Sequence, residues 1–289
     1  VLALFLAVPL FGVWRLSQSI RFKPDIERAG GSVELRVLGP DWFGMWAQRD
    51  YLWLFGTPVA LAAPTDETVN DAWLAHLSGQ TNLLSLDLKN TQVTDRGMTA
   101  LAGLTRLRVL RLSDTAVGDA GLQQLAGMTQ IGSLSLDGTQ LSDAGLSSLA
   151  GLEELSMLDL SRTRMQGAGL KHLATSQGLT ELNLSHTKLD DAGFATLPAL
   201  PKLESLELDG TQITNAALRT LSRFPSLTSL SIRKTRIDDA GLQLLAATVV
   251  LRRLNIRGTP TSASAVRRLR AALPKCEIDG PHARPERRP

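Results

Sequence analysis

The chain has 289 residues, 43% hydrophobic and 20% charged, with a formal net charge of +3 and a single cysteine. One cysteine excludes an intrachain disulfide framework, and basic residues with no aromatics among them argue against nucleic acid as a partner. The length suits one elongated domain plus a small cap.

Residues 1–14 carry no charge. That run is short of the ~20 residues a spanning helix needs, yet Arg15 and Leu16 follow it where a small-residue cleavage site would stand. Residues 1–20 are therefore expected to form a hydrophobic membrane anchor, with a signal segment as the alternative. This places the protein at a membrane through a single N-terminal anchor, on an uncertain side. A secreted or periplasmic location is the alternative. Arg15, Arg21, Lys23 and Arg28 favour a cytoplasmic array by the positive-inside rule, counted on one flank alone.

Residues 21–68 are expected to form an N-terminal cap region. Residues 32–37 alternate like a strand after the Gly30-Gly31 turn, and residues 59–62 are a candidate capping strand. Between them lie Trp42, Phe43, Trp46, Tyr51, Trp53 and Phe55. Ten of the 13 aromatics precede residue 56, which leaves the rest of the chain nearly without them. The expected role of this cluster is the core of the cap; a lipid-interface belt or a partner-binding spot are its alternatives.

From residue 69 one pattern recurs every 24 residues. Its second copy reads Leu107-x-x-Leu110-x-Leu112-x-x-Thr115-x-Val117-x-Asp119-Ala120-Gly121-Leu122-x-x-Leu125. The threonine returns at Thr91, Thr115, Thr139, Thr163, Thr187, Thr211, Thr235 and Thr259. A period in the twenties marks a solenoid, in which each unit buries its apolar face only against its neighbours. The leucine-rich half alternates as a strand does, so Leu83, Leu86 and Leu88 point inward while Ser85, Asp87 and Lys89 point outward. After the threonine the apolar residues fall three apart, as on a short helix of about two turns.

Asp95, Asp119, Asp143, Asp191, Asp239 and Asn215 stand where an N-cap is wanted, so Asp119 is expected to cap its own helix. Gly167 and Ala263 break that rule, and Gly167→Asp is expected to restore a cap. Each threonine hydroxyl is expected to be buried and bonded to turn backbone in the adjacent repeats. Ahead of the first full copy, residues 68–77 form a degraded half-copy. At the far end Ile278 falls in register with Leu254, closing the stack, and Cys276 sits in that closing strand. The array thus runs over 69–279, and 280–289 is expected to be a disordered basic tail.

The motif L-x-x-L-x-L-x-x-(N/C/T) with the tail T-x-V-x-D-A-G-L-x-x-L resembles the leucine-rich repeat family, in its ribonuclease-inhibitor-like branch common among bacterial repeat proteins. The resemblance covers about residues 69–278, with threonine at the asparagine or cysteine position. It implies an α/β fold: a right-handed leucine-rich repeat solenoid, a horseshoe arc with a parallel concave sheet and short convex helices, here preceded by an N-terminal hydrophobic segment. Nothing in the family motif is catalytic, so no active-site residue carries over.

The remaining chemistry points the same way. His76, His172, His186 and His282 lack metal-ligand spacing, and Asp190-Asp191 and Asp238-Asp239 read as helix starts rather than acid–base pairs. No enzyme activity, cofactor or metal is expected. The expected function is a non-catalytic protein–protein interaction module, probed through outward positions on the concave side: Asp159, Glu181, Asn183, Glu207, Asp209, Arg233 and Arg257. The first five make an acidic centre and the arginines a basic end. The partner is an unidentified protein and the chain a monomer; a structural spacer of a cell envelope is the alternative.

Overall fold

The computed structural model describes residues 32–37, 56–62, 69–246 and 250–280. The expected anchor, the aromatic cluster and the basic tail beyond Gly280 lie outside the described residues. Eleven strands form one sheet in chain order. The first two, β1 (Ser32–Val37) and β2 (Gly56–Ala62), are antiparallel, and β2 then pairs parallel with the first repeat strand, placing Leu61 beside Leu86. The capping strand foreseen at residues 59–62 is thus part of β2.

Nine three-residue strands follow: β3 (Ser85–Asp87), β4 (Val109–Arg111), β5 (Ser133–Ser135), β6 (Met157–Asp159), β7 (Glu181–Asn183), β8 (Ser205–Glu207), β9 (Ser229–Ser231), β10 (Arg253–Asn255) and β11 (Glu277–Asp279). All pair parallel and without a register slip, so Leu86, Leu110, Leu134, Leu158, Leu182, Leu206, Leu230, Leu254 and Ile278 form one row. Every one of them is buried, with at most 7% of its surface exposed. A one-residue slip would turn this row to solvent, which is why the register holds through the whole stack. Ile278 closes the array as its position required, and Cys276 lies just before β11 rather than in it.

The convex side is less helical than the spacing suggested. It carries α1 (Asp71–Leu74), α2 (Asp95–Met98), α3 (Asp119–Leu122), α4 (Asp191–Ala195), α5 (Asp239–Leu245) and α6 (Ala263–Ala272). Three other repeats have only 3₁₀ turns there, at Gly145–Leu149, Ala168–Thr175 and Ala217–Arg223. Segments this short cannot hold a helix by propensity. Their buried leucines hold them, as Leu122 and Leu125 do in the second repeat.

Two expectations about polar residues need correction. The eight threonines are buried, as expected, but each hydroxyl bonds within its own repeat. Each donates to the carbonyl three residues earlier at 2.6–2.8 Å, from Thr91 onto Leu88 through to Thr259 onto Ile256. The neighbouring backbone needs no help, because the ladder continues past the strands: Leu88 N–H reaches Arg111 O and Asn90 N–H reaches Ser113 O. The hydroxyl instead serves the carbonyl at its own corner, which in three repeats also accepts the threonine N–H, as Leu136 O does from Thr139.

The aspartates do not cap their own helices either. The cap is one residue earlier: Asn70, Thr94, Asp190, Asp238 and Ser262 each accept from the first turn that follows. The aspartate instead reaches across to the next repeat. Asp119 accepts from Ser142 N–H at 2.8 Å and Ser142 Oγ at 2.5 Å. Asp71 does the same to Thr94, Asp191 to Thr214 and Asp239 to Ser262. Asp95 takes Gly118 N–H, and Asn215 takes Asp238 N–H. Asp143 takes three, from Gln166, Gly167 and Gly169. Each is a staple between repeats, placed where the N-terminal amides of the next turn have no helical partner.

Gly167 occupies the staple position of the fourth copy with φ +111°, in the left-handed region. Its junction is closed differently: Thr196 Oγ donates to Gly167 O at 2.6 Å. Another left-handed position recurs just before each threonine, at Asn90, Asp114, Gly138, Arg162, His186, Gly210, Lys234 and Gly258. This is the corner at which the chain leaves the sheet.

Candidate protein-interaction surface

Since the middle residue of each strand points into the core, the first and third form the outer face of the sheet. Met157, Glu181 and Ser205 are paired in one row; Asp159, Asn183 and Glu207 in the other. Together with Ser133 and Ser135 they surround a hollow of about 200 Å³ floored by Leu134, Leu158 and Leu182. Asp159, Glu181, Asn183 and Glu207 are therefore brought together around one hollow. Within the hollow Asn183 Nδ2 donates to Asp159 Oδ2 at 3.3 Å.

Asp209, Arg233 and Arg257 are not strand residues. They stand two positions beyond the ends of β8, β9 and β10, in the turns that lead to the corner, and none lines the hollow. Nor do the two arginines form a free basic end. Arg233 lies 3.9 Å from Asp209, which also accepts from Arg233 N–H and Ser231 Oγ, and Arg257 Nε is 2.7 Å from Asp279. The alternation of the strand was extended two residues too far, into backbone that is already turning.

Further pairs lie on the sheet face and in the turns beyond it. Arg111 lies 3.4 Å from Asp87. Arg162 spans three repeats, 2.9 Å from Asp114 and 2.5 Å from Asp137, and these contacts raise its already high pKa. Ser113 Oγ also donates to Asp137.

The residue that alternation alone did not single out is Met157, 42% exposed in the middle of the acidic group. Its signal was present in the repeat alignment: polar or small residues fill most of the outer positions of neighbouring strands, and methionine is out of keeping with them.

Glu207 is an exposed residue at the end of β8. Burial against the sheet pushes its carboxyl above the ordinary value, and the charges of Asp209, Asp159 and Glu181 add to the effect. A carboxyl whose folded pKa is raised destabilises the fold when ionised, and the penalty vanishes below the unfolded value of about 4.3. Glu207→Gln is thus expected to melt higher than the wild-type chain at neutral pH. Melting curves between about pH 8 and about pH 4 check this. The advantage should close as the pH falls, and a gap independent of pH would refute the assignment.

Burial raises the Cys276 thiol, opposed by Arg252 and assisted by Glu277, the reverse of what an activated nucleophile requires. Asp238 and Asp239 divide their work as cap and staple, each lowered by its hydrogen bonds, first to Asn215 and first to Ser262 respectively. Among the described residues no group of three or more His, Cys, Asp or Glu side chains is placed to hold a metal.

Comparison with known proteins follows the repeats. A family model described as Leucine Rich repeat matches residues 79–102, 104–126, 175–197 and 225–246. The solved structure of internalin C2 from Listeria monocytogenes is similar, with TM-score 0.53 and 26% identity over 71% of this chain and 80% of that one. A second internalin from that organism aligns at TM-score 0.41 and 18% identity, over 78% of this chain and 87% of that one. A search of curated proteins found none that matches. The matched repeats, the unbroken parallel register and the likeness to internalin C2 agree: the chain is a leucine-rich repeat protein.

Proposed function

We propose that the chain is a non-catalytic protein-interaction module that presents the concave face of its solenoid to a protein partner, tethered to a membrane through residues 1–20 and acting as a monomer. The observation that carries this reading is the hollow over β6–β8. There Asp159, Glu181, Asn183 and Glu207 converge on a leucine floor. The convex side has less to offer by comparison, because most apolar residues of its short turns, Leu244 excepted, are buried in the core and its aspartates bond to the next repeat. The tether rests on the uncharged run at residues 1–14; among the described residues no helix is long and apolar enough to cross a membrane.

A photo-crosslinking residue placed at Ser135 or Ser205 tests the face, with Gln123 on the convex side as the control. In cells, protein adducts are expected from the first two positions and not from Gln123. Adducts from Gln123 alone would exclude the concave face. Absence of adducts from all three would leave the spacer reading ahead.

A further inference from the structure

We propose that the hollow lined by Met157 receives a cationic segment of the partner protein, with one apolar side chain seated against Met157 and lysine or arginine next to it, facing Glu181 and Glu207 on the two following strands. This rests on the concave-face reading above and names the chemistry of the occupant.

The inference starts from how this fold treats its other carboxylates. Five aspartates of the outer face and the turns beyond it are neutralised by an arginine from another repeat: Asp87 by Arg111, Asp114 and Asp137 by Arg162, Asp209 by Arg233 and Asp279 by Arg257. Asp159, Glu181 and Glu207 break the pattern, since no described cation lies within ion-pair distance of them. They come from three successive strands about 4.8 Å apart, so their mutual repulsion persists in the free protein. A charge arrangement that disfavours the free fold is relieved by a partner that brings the missing cations.

Met157 adds a second, independent requirement. Among the described residues only three large hydrophobics are exposed, and the other two, Leu244 and Val250, lie off the sheet. An exposed methionine adapts its shape to an aliphatic partner. Serines at 133, 135 and 205 keep the surroundings low, leaving room for such a side chain above Leu158 and Leu182. Lysine and arginine suit the flanks because their stems cover apolar surface while their heads reach the carboxylates. An acidic or uncharged segment would desolvate three carboxylates without replacing the lost water, which is unfavourable. Anionic lipid headgroups are repelled for the same reason.

The test uses the full chain in detergent and three fluorescent peptides, read by anisotropy. Their centres are Lys-Leu-Lys, Glu-Leu-Glu and Lys-Ser-Lys, and the first also carries a photo-crosslinker. Lys-Leu-Lys is expected to bind more tightly than Lys-Ser-Lys, and Glu-Leu-Glu not to bind. Glu181→Gln with Glu207→Gln should weaken the first about tenfold, and added salt should weaken it further. Met157→Ser should reduce Lys-Leu-Lys to the level of Lys-Ser-Lys while leaving the salt dependence in place. Because Glu207→Gln is expected to stabilise the fold, lost binding in that variant would not reflect unfolding.

No binding of Lys-Leu-Lys up to about 1 mM, or equal binding of the acidic peptide, would overturn the proposal. Crosslinks on the concave strands without charge preference would overturn the cationic occupant and spare the concave reading. Crosslinks confined to the convex turns would overturn both.

Discussion

Asp143→Ala is expected to be among the most damaging single substitutions on the convex side, at about 3 kcal/mol. Hydrogen bonds to a charged group contribute about 1.5–3 kcal/mol each where the donors are buried, and solvent access reduces the sum of three. The carboxylate accepts from Gln166, Gly167 and Gly169, all in the next repeat. Its loss orphans three backbone amides at once. Asp95 holds a single bond, to Gly118, so Asp95→Ala should cost about a third as much. Asp143→Asn, which keeps an acceptor oxygen, should fall between alanine and wild type. Urea denaturation of the three variants ranks them, and equal midpoints for Asp143→Ala and Asp95→Ala would show that the bonds across the junction do not set stability.

Gly167→Asp should be at least as damaging, at about 3 kcal/mol or more, although the repeat pattern favours aspartate at that position. At φ +111° a side chain is strained by roughly 1–2 kcal/mol. Crowding adds a comparable amount, since a Cβ there would lie 2.5 Å from Leu189 Cδ1 and 2.7 Å from the Cα of Gly193. The two glycines let the convex backbones of the fourth and fifth repeats touch, and alanine should fail there nearly as badly as aspartate. Thermal unfolding of Gly167→Ala checks the claim without a charge in play. A variant that melts with the wild type would mean that this junction can open to admit a methyl group.

Strand positions, the inward leucine row and the closing Ile278 were legible because burial imposes a strict periodicity on apolar residues. The buried threonines were legible from recurrence alone. Where their hydroxyls point was not, because recurrence says nothing of which neighbour supplies the acceptor. The aspartates were misassigned by one residue, since an N-cap and a first-turn acid favour the same side chains and differ only in partner. The left-handed corner escaped notice for a different reason. Asn90, Arg162, His186 and Lys234 share a conformation there without sharing a chemistry.

For the candidate site, Asp159, Glu181, Asn183 and Glu207 were readable because they lie in strands, where parity determines the face. Asp209, Arg233 and Arg257 were grouped with them by extending that parity into a turn. Their arginine–carboxylate pairs join residues 22 or 24 apart, a separation that only the stacking of one repeat on the next makes close. Met157 was legible in principle, but a search for charge passes over it.

The staples have a direction. In each, the acceptor belongs to the earlier repeat and the amide to the later one, from Asp71 and Thr94 through to Asp239 and Ser262. A chain emerging from the ribosome therefore completes the acceptor before its donor is made. Every finished repeat waits with an oriented carboxylate for the turn that comes next, and the newest unit always docks on a template already folded. The staples thus close one junction at a time in the order of synthesis, while the ladder also carries bonds the opposite way, with the amide in the earlier repeat and the carbonyl in the later one, as Leu88 N–H does onto Arg111 O.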